Sequence, residues 1–187
     1  MSDHPLELEA LLVEMRSLGA QLLRLQSPYP LKAPTFGPPA SLDDVKALEE
    51  AAAVSLPDDY RAFLLQCGSL SAMDMLNGYA LLEHPVVLGI MLEQVEVPRR
   101  VLRHPRPSPI LPVAADGGGN LFLLAAEPPF TVWKWNHEIG AAEDGALPEE
   151  SPALTPIGST FSDFLRRIVE DWRHFVRDDR EWPYISG

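Results

Sequence analysis

The stretch VAADGGGNLFLL, residues 113–124, sets Gly117, Gly118 and Gly119 between Asp116 and Asn120. A glycine run can cradle a phosphate, because bare backbone N–H groups close on an anion. The pattern here is wrong for that chemistry. A P-loop carries a Lys–Ser/Thr pair after its glycines, and a dinucleotide loop spaces them G-x-G-x-x-G ahead of a helix. In this chain LFLLAA follows, a strand-like run with no helix N-terminus to offer. Glycine tolerates positive φ, and Asp and Asn bond the backbone of turns. Asp116 and the three glycines therefore read as the turn of a hairpin.

The other chemically capable residues are scattered. His4, His84, His104, His137 and His174 form neither H-E-x-x-H nor H-x-H, so no metal is expected. Cys67 falls on the apolar face of a predicted helix, the place of a small buried hydrophobe. There is no G-x-S-x-G nucleophile elbow. Asp58 and Asp59 are neighbours on a helix and point apart, so they serve better as negative charge at its start. Asp116, His137 and Glu138 leave a small hydrolase as a remote alternative, which requires all three within hydrogen-bond reach. RRVLRHPR contains Arg99, Arg100, Arg103 and Arg106, but no broad basic face accompanies it.

The 187 residues suffice to bury a core, and a single domain over 1–187 is expected, with 1–34 an N-terminal helix and proline-rich connection. A hydrophobic fraction of 46% excludes general disorder. No apolar run approaches the ~20 residues of a membrane span. One cysteine and no secretory signal predict a reduced, cytoplasmic setting. The net charge of -12, from 15 Lys+Arg against 27 Asp+Glu, repels nucleic acid and anionic membranes and favours a basic partner. No cofactor is expected.

Apolar residues at Leu8, Leu11, Leu12, Met15, Leu18, Leu22 and Leu25 predict an amphipathic helix over 6–25. SPYPLKAPTFGPP then predicts an extended link without a regular element. Ser41 opens a second helix that fades near Ala53, with Asp44 in place of the Glu of a capping box. Pro57 suits the first position of a third helix. Tyr60, Phe63, Leu64 and Cys67 share its inner face, and Gly68 closes it in the left-handed conformation. Asn77-Gly78 predicts a turn into a short strand, and a short helix is expected around 90–96. PILPVAA, LFLLAA and FTVWKW predict three strands. Their short spacers demand antiparallel pairing.

Residues 136–158 read as a loop with His137, Glu138, Glu143, Asp144, Glu149 and Glu150 and no Lys or Arg. Thr160, with Asp163, caps a final helix whose apolar stripe runs Phe161, Phe164, Leu165, Ile168, Val169, Trp172, Phe175 and Val176. The order of elements predicts an α+β fold, an antiparallel sheet packed with N-terminal helices and a C-terminal helix.

Taken in order, SLDDVKALEEAAAVSLPDDYRAFLLQCG, LPVAADGGGNLFLL, VWKWNHE and STFSDFLRRIV resemble the SUKH superfamily over roughly residues 35–176. The chain departs from the family pattern at Gln66-Cys67-Gly68-Ser69, where an asparagine and one of two glycines are absent. The resemblance implies a fold without a shared catalytic centre and hence a non-enzymatic binding protein. Bacterial members are implied to be immunity proteins that neutralise polymorphic or contact-dependent toxins. Fungal relatives imply the alternative, a cytoplasmic regulatory or scaffolding adaptor. The expected partner is a cognate, basic protein toxin. WNHEIGAAEDG supplies aromatic and acidic anchors, so Trp135, His137, Glu138, Glu143 and Asp144 are the expected contact residues.

Overall fold

The computed structural model describes residues 4–22, 24, 35–52, 54–72, 79–81, 110–115, 120–125, 127–136, 138–139 and 154–178. Among them are helices α1 (His4–Leu22), α2 (Leu42–Ala52), α3 (Asp58–Cys67) and α4 (Phe161–Asp178). The strands are β1 (Thr35–Phe36), β2 (Leu70–Ala72), β3 (Tyr79–Leu81), β4 (Ile110–Ala115), β5 (Leu121–Ala125), β6 (Val132–Trp135) and β7 (Leu154–Gly158). The strands form one sheet in the order β1-β2-β3-β4-β5-β6-β7, and every neighbouring pair is antiparallel. The architecture is the expected α+β fold.

Local chemistry fixes the helix ends. The Ser41 hydroxyl accepts from the Asp44 N–H at 3.1 Å, and the Asp44 carboxylate accepts from the Ser41 N–H at 2.9 Å, so the aspartate version of the capping box is complete. The Thr160 hydroxyl likewise accepts from the Asp163 N–H at 3.0 Å. Pro57 is the N-cap of α3 rather than its first helical residue, because its ψ of 146° is extended. Gly68 ends α3 with φ 54°, though its ψ of -45° departs from the left-handed helix. A Cβ there would lie 2.1 Å from the Pro38 carbonyl oxygen, so the close approach also demands glycine.

Three expectations need correction. The first helix is described over His4–Leu22, and Arg24 beyond it sits in a turn, so the helix does not run on unbroken as expected. The proline-rich link holds a two-residue strand, β1, whose Thr35 and Phe36 pair with Ser71 and Leu70. The 136–158 loop contains β7 at its end. Pro156 hides this strand from pattern reading, yet β7 is the last strand of the sheet, where a missing N–H is tolerated. The Asn77-Gly78 turn and the helix expected at 90–96 lie outside the described residues.

One face of the sheet meets the helices. Leu111, Val113, Phe122, Leu124, Val132 and Ile157 pack there against the inner stripes of α1, α3 and α4. An aromatic chain crosses this core. Tyr60 and Phe63 stand 4.8 and 5.1 Å from Phe161, and Phe164 stands 5.1 Å from Phe122. Each buried aromatic contributes about 1.5–3 kcal/mol. In β4, Pro112 has no N–H for the ladder, and the register shifts between Pro112 and Ala114. The opposite face carries a smaller cluster of Leu121, Leu123, Trp135 and Leu154, with Trp133 against it.

Candidate functional site

The LPDDYR segment turns out to be a junction. Glu49, near the end of α2, accepts from the Leu56 N–H at 2.9 Å and from the Arg61 guanidinium. Asp59 accepts from the Tyr60 N–H at 2.9 Å with one oxygen. Its other oxygen accepts from the Ser162 N–H at 2.8 Å, in the first turn of α4. One carboxylate thus satisfies orphan helix-start donors on two helices separated by 103 residues. Asp59 does structural work at the helix start, and its neighbour Asp58 is exposed in the same first turn. The partner of Asp59 was invisible without the fold.

α1 and α4 lie parallel. Glu7 meets Arg166 and Glu14 meets Arg173, and both pairs are 159 residues apart, so the two helices advance together. Glu14 receives both nitrogens of the Arg173 fork, at 2.5 and 2.7 Å. That hydrogen bonding holds the Glu14 carboxyl below its ordinary range. Burial draws Asp163 upward, but hydrogen bonds from Ser159 and Arg166 outweigh it and hold its carboxyl low. Leu8, Leu11, Leu12, Met15 and Leu18 of α1 complete the core. Arg16 lies over the Phe36 ring, 4.4 Å from its centroid.

The opposite flank of α4 faces β7 and opens on a groove of about 450 Å³. Ile157, Arg167, Glu170, Asp171 and His174 line it, with the Asp163–Arg166 pair alongside. Oδ2 of Asp171 is shut from solvent and has no hydrogen-bond partner. Burial therefore raises the Asp171 carboxyl above its ordinary range, against the attraction of Arg167 and His174. Pattern reading found the apolar stripe of α4 and missed this flank. Its only signal was a polar run, which an exposed helix face also produces.

Among the expected contact residues, Trp135 and Glu138 are described. Trp135 is buried beneath the second face of the sheet, and its indole N–H has no hydrogen-bond partner. Glu138 is exposed just beyond β6, and its N–H bonds back to the Asn136 side chain at 2.9 Å. Ile139 beside it is 51% exposed. Trp135 thus anchors the stem of the connection, and Glu138 stands on its surface. His137, Glu143 and Asp144 lie outside the described residues, as do Asp116, Gly117, Gly118 and Gly119. The backbone around that glycine run is clear: β4 and β5 pair up to Ala115↔Leu121, so residues 116–120 join adjacent antiparallel strands.

Cys67 is buried at the end of α3, and burial pushes its thiol up to about 12, so it carries no nucleophilic thiolate near neutral pH. Among the described residues no group of three or more His, Cys, Asp or Glu is placed to hold a metal ion. No described helix is long and apolar enough to cross a membrane.

Helices backing one face of an antiparallel meander, joined through the Glu49–Leu56 and Asp59–Ser162 contacts, match a family model over residues 39–167. The chain belongs to the SMI1/KNR4 family (SUKH-1). No curated protein matches it. α1 and β1 lie N-terminal to the matched segment, and α4 extends beyond its end.

Proposed function

We propose that this chain is a non-enzymatic binding protein, an immunity protein that neutralises a basic bacterial toxin domain by covering it with an acidic surface. Family membership supports a binding role. The observation that carries the reading is the connection after β6. It holds Glu138, Glu143, Asp144, Glu149 and Glu150 without a Lys or Arg, in a chain of net charge -12. Glu138 and Ile139 stand exposed at its start. An acidic rim speeds encounter with a basic face, while an exposed apolar residue adds contact once docked. Trp135 fixes the base of this surface, and His137, Glu138, Glu143 and Asp144 meet the partner. Co-expression with each toxin domain encoded beside the gene tests it. Growth should be restored against one of them; no protection against any removes the reading.

A further inference from the structure

The register fixes where the connections leave the sheet. One row of paired residues crosses it, Ala80↔Ala115↔Leu121↔Trp135↔Leu154, and Ala72↔Tyr79 lies at the same end. Residues 73–78, 116–120 and 136–153 therefore join their strands at one end of the sheet. In sequence these three stretches hold seven of the 27 Asp+Glu and none of the 15 Lys+Arg. Asp74 and Asp116 thus join the five acids of the β6–β7 connection. Residues 82–109 join β3 to β4 at the opposite end, and they hold Arg99, Arg100, Arg103 and Arg106 against three Glu. Lys134, the one Lys or Arg in the strands, already has a partner.

We propose that this end of the sheet is one composite interaction surface, built from three connections, and that it takes a basic face of a protein partner. This rests on the reading of the chain as a binder of a basic protein, and it adds Asp74 and Asp116 to the contact set. Charge selects the partner and its orientation. The acids stand on three connections at one end and the arginines on the connection at the other, so a basic face is drawn to the first and turned from the second. The size fits. From β2 to β7 the sheet crosses five strand spacings, about 24 Å. An ordinary interface covers about 800 Å² per partner, a patch ~30 Å across. Exposed Ile139 adds apolar contact within the acidic surround, and buried Trp135 holds the strand end that precedes it.

The test titrates the ¹⁵N-labelled full-length chain with the capped peptide acetyl-hexa-arginine amide at about 0.1 M salt, where screening beyond ~10 Å confines the readout to nearby charges. Amide shifts should gather at Ala72, Tyr79, Ala115, Leu121, Glu138 and Leu154. The double variant Asp74→Asn/Asp116→Asn should weaken the peptide roughly three- to fivefold. Asparagine keeps the side-chain oxygen that a turn uses, so the change removes charge alone. Asp43→Asn/Glu50→Gln, which neutralises two exposed acids of α2, should leave binding unchanged. Shifts centred on α2 or spread over the whole chain, or equal weakening by the two double variants, would overturn the proposal. The wild-type shift map decides even if a variant folds poorly. A toxin domain against which co-expression shows protection separates the two readings. If Asp74→Asn/Asp116→Asn associates with it as fast as wild type, immunity stands and the composite surface falls. If the peptide gathers at this end and no toxin domain is neutralised, the surface stands and immunity falls.

Discussion

On the flank of α4 that faces α1, two arginines and three carboxylates satisfy one another. On the flank that faces β7, arginine, histidine and carboxylates share a groove and leave a buried oxygen of Asp171 without a donor. The residue types are the same, and the difference is what lies opposite. α1 supplies Glu7 and Glu14 at the heptad spacing of Arg166 and Arg173. β7 supplies Ile157, which offers no hydrogen bond. Carboxylates that meet arginines on a facing helix fasten it, whereas the buried Asp171 oxygen that no donor meets costs stability.

Breaking the paired side through its core should give the largest effect. Met15→Ala removes a side chain with 0% exposure between α1 and its neighbours and should cost about 3 kcal/mol in chemical denaturation. Next comes the junction. Asp59→Ala should cost about 1–2 kcal/mol, since it uncaps two helix starts, and Asp59→Asn should recover part of the loss.

The two flanks should then separate by sign. The folded Glu14 carboxyl titrates below its unfolded value of 4.5, so its stabilisation is present above that pH and is lost as pH falls through the folded value. Glu14→Gln should therefore lose about 0.5 kcal/mol at pH 7, and the loss should vanish in acid. Asp171 is the reverse. Its folded carboxyl titrates above the unfolded 3.8, so native stability falls as pH rises through that window. Asp171→Asn should match wild type in acid and be equal or slightly more stable at pH 7, by at most about 0.5 kcal/mol. Losses of equal sign on both flanks would erase the distinction.

Short-range chemistry was legible in the sequence. The Ser41–Asp44 and Thr160–Asp163 caps lie within four residues, and β4 to β6 announced themselves as apolar runs with short spacers. β7 was hidden because Pro156 and Gly158 argue against a strand, and only its position at the end of the sheet explains them. The Asp59–Ser162 bond and the α1–α4 ion pairs join residues more than a hundred positions apart, and no local pattern encodes them. Trp135 read as a contact aromatic because tryptophan suits interfaces. Alternation along β6 could equally place it inward, and there it lies. Asp171 needed the most structure of all, since an unpaired acceptor is defined by what fails to face it.

Acidic steering is tested most directly by the association rate of the full-length chain with a toxin domain against which co-expression shows protection, measured across salt concentrations. Acidic steering predicts a rate that falls steeply as salt rises. In the Glu143→Lys/Asp144→Lys variant the rate should be slower and its salt dependence shallower. A salt-independent rate that the charge reversals leave unchanged, or no association at all, would contradict it.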